Sequence, residues 1–355
     1  MSRNVPFLFR YALLACLVGS SHPAPASAED SIENRYLSNV RQVTEGFVRA
    51  GEGYFSPDQR TIIYQAVASD YPFYQIYTQP LEGGRPKRVS TGRGRTTCSF
   101  FSTDGRRILF ASSHLDPNLD ATEDEERRKQ ADDVKTGRRR RYDWAFDPYM
   151  DIFEADLDGG HLRPLTDTFG YDAEGAFSPD GRLIAFCSDR DGDPDLYVMN
   201  ADGSGVRQLT DSPGYDGGPF ISPDGRWVVF RSDRKRKEML QIHVIGIDGR
   251  NDVALTDNVG VNWAPYWHPT QPYIIWAGAD HSDPTQRPNY DLWLLKYKVD
   301  EGRLAPDGPV LRVTDHATAD VLPVFSPDGK KLMWTSNRTA DHSSQLWIGD
   351  FKLPG

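Results

Sequence analysis

The sequence predicts an all-β protein, a six-bladed β-propeller with four antiparallel strands in each blade. One short phrase, Phe-Ser-Pro-Asp-Gly with its variants, recurs six times along the 355 residues. Successive copies start 46, 76, 44, 46 and 58 residues apart, close to the ~40–45 residues of one propeller blade. The copies occupy residues 55–59, 101–105, 177–181, 221–225, 267–271 and 325–329.

Each repeat contains short apolar runs separated by turn signals, most clearly in the third copy. A first strand ends at the Pro-Asp-Gly turn of residues 179–181, where proline presets φ and glycine accepts a positive φ. Residues 183–187 are an apolar run of the kind found in strands buried on both faces. Residues 196–200 and 206–210 follow as a third and a fourth strand, with an Asp-Gly turn between them. This order describes one propeller blade.

The last repeat lacks a fourth strand of its own. The chain ends after a third strand at residues 345–350, whereas residues 41–44 near the N-terminus are Arg-Gln-Val-Thr, similar to Arg-Gln-Leu-Thr at 207–210. We therefore expect the N-terminal strand to complete the last blade and to close the ring. Closure would also remove the unpaired edges that favour aggregation.

The first 28 residues have the features of a secretory signal peptide. Two arginines precede or flank a short apolar run at residues 11–18, and a small-residue cleavage site ends at Ala28. The alternative is a lipoprotein signal in which Cys16 is lipidated. The apolar run is too short to span a bilayer. We expect a periplasmic or secreted protein that does not span the membrane, with residues 29–355 as a single domain.

Charge and cysteine content exclude several classes of protein. The formal net charge is −10, and it becomes −12 without the first 28 residues, which carry two arginines and no acid. This balance argues against nucleic acid as a partner. Cys98 and Cys187 fall in different predicted strands, so buried free thiols are expected rather than a disulfide scaffold.

Blade two is longer than the others because of an insertion at about residues 114–149. A capping box at 122–125 predicts a helix that starts at Thr122 and stops near Gly137. A basic tract and an aromatic stretch that includes Trp144 follow. Long insertions project from one face and often have a function. The alternative is that the aromatic stretch packs over the propeller.

The order of these motifs resembles the repeats of the TolB-like (WD40-like, PD40) family of bacterial periplasmic propellers. The resemblance extends from residue 43 to residue 350. TolB proper carries an α/β domain before its propeller, whereas only residues 29–42 precede the first blade here. The resemblance therefore implies a TolB-like propeller rather than the Tol envelope component itself. Prolyl-oligopeptidase-type enzymes share the propeller repeat, but no Gly-x-Ser-x-Gly nucleophile elbow occurs in this chain.

The segment before each innermost strand should lie at one mouth of the central channel. Five positions before the leading apolar residue of the phrase, the repeats carry Ala50, Thr96, Asp172, Asp216, Asn262 and Asp320. Glu52 and Glu174 add carboxylates two positions later, and Tyr171 and Tyr215 precede two of the aspartates. Converging oxygen ligands could hold a cation or a basic segment of a partner. The alternative is that each aspartate caps its own loop.

A second candidate site for a divalent cation such as Ca²⁺ lies in the loop after the apolar run of the third repeat. Asp189, Asp191, Asp193 and Asp195 occupy every second position, as in the first half of a calcium loop, but the distal glutamate of an EF-hand is absent. The alternative is a solvated hairpin loop. The histidines are scattered and show no zinc-motif spacing.

These features predict a binding module. Its partner, a protein or an envelope ligand with a basic segment, would bind at one mouth of the channel. The sequence contains neither a nucleophile elbow nor a zinc motif that would support an enzyme. The alternative function is a metal-assisted propeller lyase or hydrolase that acts on a polysaccharide or a lactone. A third hypothesis is an accessory propeller with a structural role only.

Overall fold

A computed structural model describes residues 31–138, 146–283, 285–286 and 288–354. Within these ranges the regular secondary structure is almost entirely β-strand, with one α-helix and a short 3-10 turn at Glu33–Arg35. The strands of the first half of the chain are β1 (Leu37–Gln42), β2 (Arg49–Phe55), β3 (Thr61–Val67), β4 (Gln75–Pro80), β5 (Lys87–Arg88), β6 (Thr96–Phe101), β7 (Arg107–Ser112), β8 (Tyr149–Asp156), β9 (Arg163–Pro164), β10 (Gly170–Phe177), β11 (Leu183–Ser188), β12 (Asp195–Asn200) and β13 (Arg207–Gln208).

The second half of the chain continues the same alternation of short strands and turns. Its strands are β14 (Asp216–Ile221), β15 (Trp227–Ser232), β16 (Gln241–Gly246), β17 (Val253–Ala254), β18 (Val261–Trp267), β19 (Tyr273–Ala279), β20 (Asp291–Asp300), β21 (Arg303–Pro306), β22 (Leu311–Arg312), β23 (Asp320–Phe325), β24 (Lys331–Ser336) and β25 (Gln345–Phe351).

The strands form a propeller-like arrangement of sheets. Three sheets have four strands each, in the orders β2-β3-β4-β5, β14-β15-β16-β17 and β1-β25-β24-β23. A five-stranded sheet contains β18 to β22, and an eight-stranded sheet contains β6 to β13. The eight-stranded sheet consists of two antiparallel groups that a short parallel pairing of β8 with β10 joins. The all-β propeller prediction is thus confirmed.

The first strand of each repeat contacts the first strand of the next repeat around a closed circuit. The order of contact is β2, β6, β10, β14, β18, β23 and back to β2. Apolar side chains fill the space between neighbouring sheets, because the middle strands are buried on both faces; Ile62, Phe110, Phe230 and Trp334 all have 1% or less of their surface exposed. The continuous apolar runs of the sequence supply this core.

The N-terminal strand completes the last sheet, as the sequence predicts. β1 pairs with β25 in antiparallel register, with Leu37 opposite Phe351. Thr44 next to β1 accepts a 2.9 Å hydrogen bond from the Leu346 backbone N–H, and Thr210 accepts the same bond from Leu196 in its own repeat. The resemblance between residues 41–44 and 207–210 therefore reflects equivalent structural positions.

The insertion contains α1 (Leu119–Thr136), which ends at Gly137 with φ of 68°. The predicted end is confirmed, but the predicted start at Thr122 is wrong by one turn. The Thr122 hydroxyl donates to Asp116 at 3.0 Å and lies within the helix, and Asn118 occupies the N-cap position. Trp144 and the rest of residues 139–145 lie outside the described residues.

Glu123 fixes α1 to the propeller. Its carboxylate is buried and accepts hydrogen bonds from the Tyr71 hydroxyl at 2.6 Å and from Arg93 at 2.9 Å. Burial opposes the charge of Glu123, but Arg93 and Tyr71 lower its pKa overall. Arg93 also pairs with Asp120 at 2.6 Å, and the Gln130 side-chain amide donates to the Pro72 carbonyl at 2.9 Å. The helix therefore packs against the propeller through charged and polar contacts.

Two further predictions concern the thiols and the membrane. Cys98 and Cys187 are free and buried, as predicted. In the part of the chain that the structure describes, no helix is long and apolar enough to cross a membrane. The proposed signal peptide, Ala28 and Cys16 lie outside the described residues.

Candidate binding pocket in the central channel

Each of the six first strands contains a β-bulge at the same repeat position. The pairing register shifts there in all six strands, and one residue in each bulge has a positive φ: Glu52 (49°), Cys98 (53°), Glu174 (60°), Gly218 (60°), Ala264 (52°) and Leu322 (55°). A bulge re-aims a side chain and is common near functional sites. Five of the six residues are not glycine, so each stores backbone strain of about 1 kcal/mol or more.

The six bulge residues line one cavity of about 280 Å³ in the central channel. Its floor is a cluster of aromatic rings two residues beyond four of the bulges. Ring centroids of Tyr54 and Phe100 are 4.9 Å apart, as are those of Phe220 and Tyr266, and Tyr54 meets Phe220 at 5.9 Å. Because β2 and β14 lie three steps apart in the circuit of strands, these rings meet across the channel.

Glu174 is the most strongly hydrogen-bonded side chain of the cavity. The Tyr215 hydroxyl donates to it at 2.8 Å, Arg231 at 3.2 Å and the Tyr171 hydroxyl at 3.2 Å, and the Gly218 backbone N–H also donates. Arg231 in turn donates to the Tyr215 oxygen at 2.7 Å. Burial raises the pKa of both tyrosines well above the usual value, so both phenols remain donors.

Arg231 remains charged in spite of its burial. Burial opposes its charge, but the Glu174 carboxylate raises the pKa of Arg231 overall. Glycine at the bulge position 218 makes room for this guanidinium, because an added Cβ would collide with Arg231. Glu174 and Arg231 thus form a neutral, internally satisfied pair in the cavity wall.

Glu52 lies in the same cavity with little to hold its charge. Burial, and then the charge of Glu174, raise the pKa of Glu52 to about 7. The Tyr54 hydroxyl donates a long hydrogen bond of 3.4 Å to the Glu52 carboxylate. The two glutamates therefore differ in their surroundings: several donors hold Glu174, whereas Glu52 can take up or release a proton near neutral pH.

Two polar atoms of the cavity have no hydrogen-bond partner among the described residues. They are Nε of Arg49 and Oγ of Ser99, both buried and both in the cavity lining. The Arg49 guanidinium lies over the Tyr74 ring, 4.8 Å from its centroid. Buried polar groups usually find partners, so these two atoms mark a surface that is chemically incomplete.

The structure differs from the predicted open acidic ring at three positions. Asp172, Asp216 and Asp320 are at most 1% exposed. Each forms an ion pair with the arginine eighteen positions later, in the loop that follows the next strand: Arg190 at 3.0 Å, Arg234, and Arg338 at 2.6 Å. These carboxylates are therefore neutralised within their own sheets. The loop-anchoring alternative describes them better than a free cation site.

Asn262, the fourth predicted member, is also internally satisfied. It donates to Asn258 at 2.9 Å and Gln241 at 3.1 Å, and it accepts a 2.9 Å bond from the Trp276 indole. Of the predicted channel-mouth residues with polar or aromatic side chains, Glu52 and Glu174 line the cavity. Tyr171 and Tyr215 lie beside it through their bonds to Glu174.

Tyr171 and Tyr215 contact the insertion. The Phe146 ring packs edge-on against both, with centroid separations of 5.0 Å and 5.7 Å. Phe146 is 43% exposed, and Phe169, whose ring contacts Tyr149 at 5.6 Å, is 77% exposed. We call these five residues the aromatic rim: Phe146, Tyr149, Phe169, Tyr171 and Tyr215.

The aspartate loop brings three of its four predicted ligands together. Carboxylate oxygens of Asp191, Asp193 and Asp195 lie within 4.8 Å of one another. Asp189 instead accepts a 2.6 Å bond from the Tyr171 backbone N–H. Burial raises the pKa of Asp195 to about 7. Neighbouring groups already bond the three aspartates, including Gln208 and Gly214.

The described histidines do not line the cavity. His268 replaces the serine of the turn phrase and is buried, where its Nδ1 accepts bonds from the Thr270 and Gln271 backbone N–H groups at 3.3 Å and 3.1 Å. Burial lowers the pKa of His268. This histidine therefore acts in the turn, in place of the serine.

The sequence patterns did not identify three residues that line the cavity: Arg49, Arg231 and Ser99. A signal exists for Arg231: it interrupts an apolar strand at a position where the equivalent residues are uncharged, namely Gln65, Ala111, Cys187, Ala277 and Thr335. A charged side chain at a repeat position that is otherwise uncharged indicates that it faces the channel. Ser99 carries no such signal.

Comparisons with known proteins agree with this architecture. Residues 145–278 match the family model described as the TolB beta propeller domain (PD40). A protein described as TolB from Agrobacterium tumefaciens has 21% identity and a TM-score of 0.56, with 86% of this chain and 91% of that chain covered. TolB from Acinetobacter baumannii has 18% identity and a TM-score of 0.56, with 88% of this chain and 66% of that chain covered.

An oligogalacturonate lyase from Vibrio parahaemolyticus has a similar fold, with 15% identity and a TM-score of 0.50 over 88% of this chain and 93% of that chain. At these identities the structures show the fold alone. Together with the match to the family model, they confirm the resemblance to TolB-like propellers that the repeats predict.

Proposed function

We propose that this TolB-like propeller is a binding module that takes a protein or envelope ligand at one mouth of its channel. The observation that carries the proposal is the aromatic rim beside the cavity. Clustered exposed aromatic side chains next to a recess are typical of interaction sites. Phe146 and Phe169 offer the exposed rings, and Tyr171 and Tyr215 connect Phe146 to Glu174 inside the channel.

A basic segment of the partner fits the charge beside this rim. The aspartate loop adjoins the rim, because Asp189 bonds the Tyr171 backbone and Asp191 and Asp193 follow in the same loop. The chain as a whole carries a net charge of −10. Such charge mainly speeds and orients docking, so the association should weaken as salt rises.

Replacement of the exposed rings tests this function. Phe146→Ala combined with Phe169→Ala should lower capture of the partner from an envelope extract at least tenfold, with an unchanged melting temperature. Leu157→Ala, which removes a side chain that is 42% exposed on an outer turn, is the matched control. Equal capture by the double variant and by the control would refute the role of the rim.

We infer a ring of six blades. The blades would be β2–β5, β6–β9, β10–β13, β14–β17, β18–β20 with β22, and β23–β25 with β1. The support comes from the six equivalent bulges and from the circuit of first-strand contacts. An experimental structure that showed any other number of blades would overturn the count.

We also infer that the protein is periplasmic or secreted, with a signal peptide that ends at Ala28 and one propeller domain at residues 29–355. The support is the charge and apolar pattern of the first 28 residues. Mass spectrometry of the protein exported by a bacterial host would give the new N-terminus. A lipid-modified Cys16 would favour the lipoprotein alternative.

A second candidate function is a metal-assisted lyase or hydrolase that acts on a polysaccharide or a lactone. The observation that favours it is the cluster of Asp191, Asp193 and Asp195, since hard cations prefer carboxylate oxygens. Plasma mass spectrometry of the purified protein and a melt with chelator test it. About one equivalent of divalent metal that is lost in Asp193→Asn would support this function; a metal-free protein with an unchanged melt would count against it.

A further inference from the structure

The channel cavity contains two oppositely charged side chains of one strand that do not pair with each other. Arg49 and Glu52 both belong to β2, and both line the cavity. No ion pair joins them, and neither forms an ion pair with another described residue within 4.0 Å. Each therefore remains open to a group of opposite charge from a ligand.

Arg49 offers an anion site. Its Nε atom is buried and has no hydrogen-bond partner among the described residues, and Tyr74 supports one face of its guanidinium. A planar guanidinium binds carboxylates through paired hydrogen bonds. Ser99 adds an independent donor, because this residue is 1% exposed and lines the same cavity, and its hydroxyl has no hydrogen-bond partner among the described residues.

Glu52 offers a cation site in an aromatic setting. The bulge directs it into the cavity with φ of 49°, and the rings of Tyr54, Tyr74 and Trp263 line the same space. Aromatic faces next to a carboxylate stabilise an organic ammonium group. The other cavity charges, Glu174 and Arg231, neutralise each other at 3.2 Å and do not compete for a ligand.

We propose that the channel pocket binds a small aliphatic zwitterion, with its carboxylate at Arg49 and Ser99 and its ammonium group at Glu52. The two charged residues lie three positions apart on β2, about 10 Å at the Cα atoms, and their side chains shorten the gap that a ligand must span. A short chain of methylene groups over the aromatic floor satisfies both ends. This inference concerns a small molecule and does not depend on the protein partner proposed above.

Binding should be linked to the protonation of Glu52. An ammonium ligand favours the ionised Glu52 carboxylate. The affinity for the zwitterion should therefore rise as pH increases through about 7, the pKa of Glu52 in the folded protein without ligand. The titratable and charged groups that face Glu52 or share its cavity are Tyr54, Tyr74, Tyr266, Arg49, Cys98, Glu174 and Arg231. The phenols have raised pKa values, and burial raises that of Cys98. Glu52 is thus the group that titrates near neutrality.

Calorimetry with matched probes tests the proposal on the full chain. The zwitterionic probes are 4-aminobutyrate, 5-aminopentanoate and 6-aminohexanoate, and the single-charge controls are hexanoate and hexylamine. At pH 8, at least one zwitterion should bind ten times or more tightly than either control. Arg49→Gln and Glu52→Gln should each weaken that binding at least tenfold, and Glu52→Gln should also remove the pH dependence.

Control variants separate charge from folding. Arg88→Gln and Glu45→Gln remove exposed charges elsewhere and should bind as the original protein does. Arg49→Lys keeps a positive charge, so it should retain more affinity for the zwitterion than Arg49→Gln. Absence of binding by all three zwitterions, equal binding of hexylamine or hexanoate, or full affinity in Arg49→Gln would each overturn the proposal. None of these outcomes bears on capture of a protein by the aromatic rim.

Discussion

The Glu52 carboxyl group has an environment that favours its protonated form. Burial and the nearby Glu174 charge raise the pKa of Glu52 from 4.5 to about 7. The unfolded chain loses this proton near pH 4.5, whereas the folded chain keeps it until about pH 7. Between these values the free energy of unfolding therefore falls as pH rises, and above pH 7 the stabilising contribution is gone.

Replacement of this residue should change the pH dependence of stability. Glu52→Gln cannot ionise, so its free energy of unfolding should exceed that of the original protein by about 3 kcal/mol more at pH 8 than at pH 4. Urea denaturation at the two pH values measures the difference. Exposed Glu45→Gln is the control and should show no such change. The same difference at both pH values would contradict the proposed environment of Glu52.

The buried aspartates make a second residue-scale prediction. Arg234→Ala leaves Asp216, which is 0% exposed, without its partner. Removal of one member of a buried ion pair typically costs about 3–5 kcal/mol. Arg182→Ala is the control, because the Arg182 side chain is 85% exposed and 3.7 Å from Asp180. Thermal or urea unfolding measures both; equal losses would show that the buried pair has no special role.

The repeat pattern of the sequence already contains the spacing of these ion pairs. Aspartate at positions 172, 216 and 320 coincides with arginine eighteen residues later, whereas Asn262 is followed by Asp280 at that spacing. The sequence thus holds the information that these aspartates are structural. The repeat pattern placed these aspartates at the correct end of their strands. It could not show that they are buried, because their burial depends on how the loop folds back onto the strand.

At the scale of single elements, the β-bulges determine which side chains face the channel. A strand without a bulge would alternate its side chains strictly, so residues 52 and 54 would share a face with residue 50. The bulge breaks this alternation, as the register shift between Gly51 and Gly53 shows. Bulge residues range from glycine to leucine, so no single residue type identifies the bulge. The repeat phrase predicted the strands but not this feature.

Backbone strain at a bulge should be measurable by glycine substitution. Ala264 has φ of 52°, a conformation that costs alanine about 1 kcal/mol and glycine little. Ala264→Gly should therefore leave stability unchanged or raise it by up to about 1 kcal/mol. Ala277→Gly is the matched control in extended strand β19 and should destabilise by about 1 kcal/mol. Equal destabilisation of both variants would mean that position 264 carries no strain.

At the scale of the whole molecule, the N-terminal segment joins the two ends of the chain. β1 forms the outer strand of the last sheet, and Leu37 is buried against that sheet. Arg338 ties the segment to the sheet interior, because it donates to Glu33 at 2.6 Å and to Asp320 at 2.6 Å. Repeat counting predicted the strand pairing, but it could not predict the ion pair, since Glu33 lies outside the repeats.

Removal of residues 29–44 should therefore open the last sheet. The exposed edge of β25 and the loss of the Arg338–Glu33 ion pair should lower the melting temperature by about 10 °C or more. A synthetic peptide of residues 31–44, added in excess, should restore much of this loss, because a ligand that binds only the folded state stabilises it by mass action. The same peptide with Leu37→Asp, which places a charge at a buried position, is the control and should not. An unchanged melt of the truncated protein would show that the ring does not depend on this strand, and equal rescue by both peptides would show that the effect is not due to docking of β1.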